Sequence, residues 1–396
     1  MTPTERVILG LYVAVVAAWP IRYLVVGWII GRCDSLDLGS PRVEGAFPSV
    51  TAIVPAKDEA STLADCLASV CDQDYPRLEI LVVDDRSTDG TAAIAESFAA
   101  RDPRVRLISI RDLPPGWTGK THALHVATAQ AAGEWLWFLD ADTRHHPECL
   151  SITLRYALDQ NASLMSLVPE MRCDTFWEKV VQPLAGIVLM RSFPLFTVND
   201  DRKKLAFANG QYILMTRHAY EKSGGHEAVR DRFVEDIYLA KRVKGAGLPI
   251  RSAFGTAISS TRMYTSLPTI IRGWSRIMYD AMGRRSWPLW GKVVEPVIFS
   301  QSAYVAGAAG LWGLMVGRPG PLWGWLVGLS AFNVLMQAAV LHRLYAVSSP
   351  RTAEYAAWYP VAGLVSDWIL FKSIWMCWTG RVSWRGTSYG PTSGRA

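Results

Sequence analysis

Four apolar stretches, residues 7–30, 293–316, 322–341 and 356–378, constrain this chain most. A helix needs about 20 apolar residues to cross a bilayer, and the lipid interior leaves helices and closed barrels as the only ways to satisfy the backbone. The chain is therefore expected to be an integral membrane protein with a water-facing domain between its apolar ends. Half of its 396 residues are hydrophobic, and its 17 Trp are concentrated toward the C-terminal half, a residue enriched where protein meets headgroups. The first stretch contains Pro20 and Arg22, and no small-x-small cleavage site follows it. It reads as an uncleaved anchor rather than a signal peptide. The net charge of +6 is modest, and the arginines cluster beside apolar segments. That pattern suits anionic lipid headgroups and argues against nucleic acid as a partner. The six Cys are scattered, with no Cys-x-x-Cys pair, so they read as small core residues in a reducing compartment.

From Val50 the pattern changes to strands alternating with helical stretches, the signature of a parallel sheet covered by helices. Strands are expected over 50–55, 78–83, 105–110 and 135–139. Helices are expected from Leu63 after a cap at Ser61, over 91–100 and over 120–132. The carboxyl ends of the four strands then share one edge, where open α/β sheets bind ligands. The last of these strands reads Trp135-Leu-Trp-Phe-Leu-Asp-Ala-Asp-Thr143. Five apolar residues suit burial on both faces, and Asp140 and Asp142 follow on one side of the extended chain. Two hard oxygen ligands there suit a divalent cation that a phosphate also holds.

The remaining stretches are more open in meaning. Asp84 to Gly90 has the composition of a turn, and Glu235-Asp236 that of a helix N-terminal pair stabilised by the dipole. His145 and His146 read as turn residues before a helix opened by Pro147. Lys120 sits unfavourably at a helix N-terminus, which favours an anionic partner beside it. Gly116-Trp-Thr-Gly119-Lys120-Thr121 falls short of a P-loop, because Pro114 stands where the pattern needs glycine. Residues 181–198 are apolar but carry Arg191 and two prolines, so a core or membrane-surface helix is expected rather than a span. Residues 262–292 are basic and aromatic, with Arg272 and Arg276 on one helical face, and read as interfacial.

Taken in order, Val50-Thr-Ala-Ile-Val-Pro-Ala-Lys-Asp-Glu59, Leu81-Val-Val-Asp-Asp-Arg-Ser-Thr-Asp-Gly-Thr91, Gly119-Lys120, Asp140-Ala-Asp142 and Glu235-Asp236 resemble the motifs of family 2 glycosyltransferases with the GT-A fold. The likeness covers residues 49–281. Arg262-Met-Tyr264, Gly273-Trp-Ser-Arg276 and the apolar ends are similar to membrane-bound members that glycosylate lipids, including the carotenoid, ceramide and hopanoid-associated groups. The resemblance implies that Pro55 and Asp58 lie against the nucleotide, Asp85 binds its base and Lys120 faces the diphosphate. It further implies that Asp140 contacts the ribose or the metal, Asp142 coordinates Mg²⁺ or Mn²⁺, and Asp236, beside Glu235, is the catalytic base. Processive synthases carry Gln-x-x-Arg-Trp where this chain reads Arg272-Gly-Trp274-Ser-Arg276. The changed order favours single-sugar transfer and leaves Arg272, Trp274 and Arg276 as acceptor-site candidates.

The expected architecture is an α/β, mostly parallel GT-A (Rossmann-like) domain with an N-terminal transmembrane anchor and C-terminal transmembrane helices. Its parts are an anchor (1–31), a linker (32–48), the GT-A domain (49–261), an interfacial segment (262–292), membrane helices (293–378) and a polar tail (379–396). The expected function is inverting transfer of one sugar from a nucleotide-sugar donor to a lipid hydroxyl at the inner or cell membrane, with the catalytic domain cytoplasmic. The competing readings are a polyprenyl-phosphate or polysaccharide glycosyltransferase and a non-catalytic scaffold. A fourth full span would place Arg381, Arg385 and Arg395 outside, against the positive-inside rule. Residues 356–378 are therefore expected to be re-entrant or interfacial, with the side of the tail left open. The sugar, the base, the acceptor lipid and the oligomeric state are not legible in the sequence.

Overall fold

The computed structural model describes residues 1–384 and 387–389. Of the basic tail, Arg385 and Arg395 lie outside the described residues. The chain opens with α1 (Pro3–Ile30). Three strand and helix pairs follow: β1 (Val50–Ala56) with α2 (Leu63–Cys71), β2 (Leu78–Asp85) with α3 (Thr91–Ala99), and β3 (Val105–Ile110) with α4 (Gly119–Thr128). Next come β4 (Trp135–Leu139), β5 (Thr143–His145), α5 (Cys149–Asp159), β6 (Leu164–Val168) and β7 (Glu170–Met171). After α6 (Phe176–Met190) and the short α7 (Leu195–Val198), the chain forms β8 (Tyr212–Thr216), α8 (Arg217–Ser223), α9 (Glu235–Gly245), β9 (Ile250–Phe254) and β10 (Ser259–Thr261). Helices then follow one another, α10 (Leu267–Ala281), α11 (Ser286–Pro296), α12 (Ser302–Met315), α13 (Leu322–Ser348) and α14 (Tyr359–Thr379), before an antiparallel pair of short strands, β11 (Val382–Trp384) and β12 (Thr387–Tyr389). These elements form two compact units. One comprises Cys33–Arg172 and Arg191–Met263; the other comprises Met1–Arg32, Cys173–Met190 and the chain from Tyr264 onward.

The first unit is built on a seven-stranded sheet of order β3-β2-β1-β4-β8-β6-β9. Strand β8 alone runs against its neighbours β4 and β6, so the expected parallel sheet is mixed. Ile53, Leu81, Leu136 and Trp137 are fully buried in it, each contributing about 1.5–3 kcal/mol of transfer free energy. The strand order reverses at β1, between β2 and β4. Their carboxyl ends therefore open on a switch-point crevice. A small second sheet, β5-β10-β7, lies beyond β4.

Three local expectations give way. Thr62, not Ser61, stands at the N-cap of α2, and its hydroxyl bonds the Glu59 carboxylate instead of a helix N–H. Helix α4 ends at Thr128 because the following segment is claimed elsewhere: Arg217 binds the carbonyls of Ala131 and Gly133, and Glu79 takes the Ala132 N–H. His145 is a strand residue, not a turn residue. Its ring is buried between the hydroxyls of Thr143 and Ser259, at 3.0 Å from each, and burial lowers its pKa to about 3.

In the second unit, apolar helices are not confined to the chain ends. Among the described residues, five segments are long and apolar enough to cross a membrane: Pro3–Ile30, Phe176–Val198, Ser286–Met315, Leu322–Ser348 and Pro350–Thr379. They mark a membrane-associated protein. Phe176–Val198 meets the length and apolarity of a span, yet half of it is buried, as the expected core helix would be. Its first part, α6, ends at Met190, so Arg191 and the second proline of this stretch fall outside that helix. The charge of Arg22 in α1 is neutralised by Glu295 at 2.5 Å, as an ionisable group at membrane depth requires. Helices α12 and α13 approach closely because small residues line the contact. A Cβ at Gly310 would meet the Trp323 carbonyl at 2.8 Å, and one at Gly313 would strike the Trp323 ring at 2.2 Å.

Candidate active site

The loops after β1 and β2 are bound together before any ligand is considered. Asp58 and Arg86 both adopt left-handed backbone, with φ of 52° and 56°, a conformation that costs a non-glycine residue free energy and clusters at functional sites. Hydrogen bonds hold them there. The Asp58 carboxylate accepts from the Thr88 N–H at 2.8 Å, and its own N–H donates to the Ser87 hydroxyl at 3.0 Å. Lys57 donates to the carbonyls of Asp85 and Arg86 at 3.2 and 3.0 Å. Asp89 closes the turn on the Thr91 hydroxyl and the N–H groups of Thr91 and Ala60; these bonds, the hydroxyl's first, lower its pKa.

Asp85 is buried at the end of β2, and the Arg86 guanidinium grips it in a fork at 2.7 and 3.0 Å. Such a bidentate pair fixes both partners. Gly119, the first residue of α4, lies against the same carboxylate: a Cβ there would stand 2.3 Å from Asp85 Oδ2. The N-terminus of α4 is also tied to the segment before α9. The Thr118 N–H and the Thr121 hydroxyl both donate to the Arg230 carbonyl, at 2.8 and 2.7 Å.

In the first turn of α4, Lys120 gathers the acidic groups. Its Nζ is 2.6 Å from Asp140 Oδ1 and 2.7 Å from Glu235 Oε1. Burial works against its charge, but Asp140, Glu235 and Asp236 outweigh burial and raise its pKa. Glu235, buried at the start of α9, has a raised pKa, mainly from burial, with Lys120 opposing and Asp140 adding to it. Asp236 accepts from the Gly210 N–H at 2.6 Å and from the Ile237 N–H at 2.8 Å. Burial first, then the neighbouring Glu235 charge, push its pKa up to about 7. Gly210 packs tightly beneath this group, since a Cβ would stand 3.1 Å from both Asp236 Oδ2 and Lys120 Nζ and those side chains would have to give by a few tenths of an ångström.

The turn from Asp140 to Asp142 is fixed from behind. The Asp140 carbonyl accepts from the Thr143 hydroxyl at 2.7 Å, and His145 backs that hydroxyl. Asp142 is half-buried, its carboxylate 3.4 Å from the Thr261 hydroxyl. Among the described residues no group of three or more His, Cys, Asp or Glu is arranged to hold a metal ion. The donor set of Asp140 and Asp142 still fits a hard divalent cation whose remaining ligands come from a diphosphate and water.

The structure thus brings Lys120 into direct contact with Asp140 and Glu235, with Asp236 near enough to act on its charge, and sets Pro55, Asp58 and Asp85 at or just beyond the ends of β1 and β2. Arg272, Trp274 and Arg276 lie on α10 in the other unit, with Arg272 exposed, Trp274 buried and Arg276 reaching the Tyr264 hydroxyl at 3.5 Å. Gly210 and Arg86 escaped the sequence reading. Ala208-Asn-Gly-Gln211 before an apolar run carries only a turn signal.

Residues 51–224 match the family described as Glycosyl transferase family 2. The chain carries a family 2 glycosyltransferase domain. The 4,4'-diaponeurosporenoate glycosyltransferase of Staphylococcus aureus (strain USA300) is 26% identical over 238 residues, which cover 59% of this chain and 62% of that protein. The chain thus matches less than two thirds of the length of its curated relatives. The solved mannosyltransferase PcManGT from Pyrobaculum calidifontis, in complex with GDP-Man and Mn2+, is similar with a TM-score of 0.50 and 20% identity. That likeness covers 93% of this chain and 99% of the other, and it agrees with the sheet order in showing an α/β, GT-A-like fold.

Proposed function

We propose that this glycosyltransferase moves a single sugar, with inversion, from a nucleotide-sugar donor to the hydroxyl of a lipid. The observation that carries the reading is the cluster at Lys120, where a cation and a carboxylate of raised pKa stand together at the switch-point edge. The acceptor oxygen attacks the anomeric carbon from the face opposite the diphosphate, and the bond from that carbon to the leaving oxygen breaks. Asp236 takes the hydroxyl proton; a carboxylate near neutrality is suited to this. The departing diphosphate carries the bonding electron pair and faces Lys120, whose charge stabilises it. Asp58, Asp85 and the end of β1 at Pro55 form the nucleotide side of the crevice. Asp140 and Asp142 would hold Mg²⁺ or Mn²⁺, which supplies Lewis-acid neutralisation of the diphosphate when bound.

A lipid acceptor is supported by the apolar helices of the same chain, by Arg272, Trp274 and Arg276 on a helix of that unit, and by the acceptor in the name of the S. aureus relative. A cytoplasmic catalytic unit at the inner or cell membrane is part of the proposal. Calorimetry of the full-length protein with nucleotide sugars and Mn²⁺ tests it. Metal-dependent binding of one nucleotide diphosphate sugar is expected, and a product of inverted anomeric configuration. No binding of any nucleotide sugar would leave only a scaffold.

A further inference from the structure

The Asp140 carboxylate that would meet a donor-borne cation is already occupied by a cation of the protein's own. The ammonium of Lys120 lies 2.6 Å from Asp140 and 2.7 Å from Glu235. Gly210 leaves no side chain to crowd it, because a Cβ there would stand 3.1 Å from that nitrogen. Remove this charge and three carboxylates, Asp140, Glu235 and Asp236, are left facing one another without compensation, which like charges resist. A divalent ion and an ammonium also repel each other at such range, so the two cannot share Asp140 closely. A diphosphate changes the balance, since it offers Lys120 a second anionic partner and brings oxygens that complete the coordination of a hard cation.

We propose that Lys120 is a built-in counter-ion that withholds Asp140 from a divalent cation until a diphosphate draws the ammonium away. Metal and donor then enter together rather than metal first. This rests on the glycosyltransferase reading above and adds the order of binding to it. By linkage, the diphosphate strengthens cation binding by the same factor as the cation strengthens diphosphate binding.

The test is Mn²⁺ binding to the purified full-length protein, followed by paramagnetic resonance of free Mn²⁺, with and without a saturating nucleoside diphosphate. Wild type is expected to bind Mn²⁺ at least about tenfold more tightly with the nucleotide, within the usual 5- to 150-fold range of coupling. Lys120→Gln should bind Mn²⁺ without nucleotide about tenfold more tightly than wild type, and Lys120→Arg, which keeps the charge, should not. Circular dichroism and thermal melting confirm that each variant is folded; if Lys120→Gln does not fold, the nucleotide effect on wild type and Lys120→Arg decides. Equal Mn²⁺ affinity with and without nucleotide in wild type, or no gain in folded Lys120→Gln, would overturn the counter-ion. Failure to bind the nucleotide itself would instead overturn the glycosyltransferase reading.

Discussion

Asp236 and Gly210 carry the sharpest consequences at the scale of single residues. Asp236 is the proposed general base, and removal of such a group costs about 10²- to 10⁴-fold, so Asp236→Asn is expected to lower the single-turnover rate by that range. Donor affinity measured by calorimetry should change little. In wild type the rate should rise with pH through about 7, as Asp236 loses its proton, and the variant should lack that limb. The same shift has a sign for stability. An unfolded aspartate titrates near about 4, whereas the folded one holds its proton to about 7. Between these values the folded state binds the extra proton, so stability is greatest below the lower value and falls as pH rises through the upper. Asp236→Asn should therefore melt at a higher temperature than wild type at pH 8, with the difference shrinking toward pH 4. Gly210→Ala would push Lys120 and Asp236 aside by a few tenths of an ångström. A misplacement of about 1 Å can cost about 100-fold in rate, so this smaller shift should lower activity by less than that while the melting temperature moves little.

At the scale of elements, the contact of α12 with α13 offers a test independent of chemistry. Gly310→Val is expected to lower thermal stability markedly in detergent, because the added carbons meet backbone at 2.8 Å rather than a flexible side chain. The strands were legible where pattern alone decides: β3 spans the expected 105–110, and β4 is buried along its whole length. Boundaries failed where tertiary partners intervened. The early end of α4 is set by Arg217 and Glu79, neither of which any local pattern connects to residues 131–133. The antiparallel β8 was invisible for a related reason. Periodicity marks which face is apolar, not which neighbour covers it.

Across the whole molecule, the sequence motifs converge because the topology places the ends of β1, β2 and β4 side by side and brings the start of α9 to the first turn of α4. The pairing of Lys120 with Glu235 spans more than a hundred residues, so no spacing rule could have supplied it. What the sequence left open is of two kinds: the Gly210 N–H meets Asp236 only in the folded unit, whereas Arg86 and Asp85 are neighbours whose fork depends on the left-handed backbone at Arg86. The apolar helices in the same chain support the proposal of a lipid acceptor. The measurement that bears most directly on this is mass spectrometry of total lipids from cells expressing the wild-type chain, the Asp236→Asn variant or neither. A lipid heavier by one sugar residue should appear with the wild type alone; identical lipid profiles in all three would contradict the account.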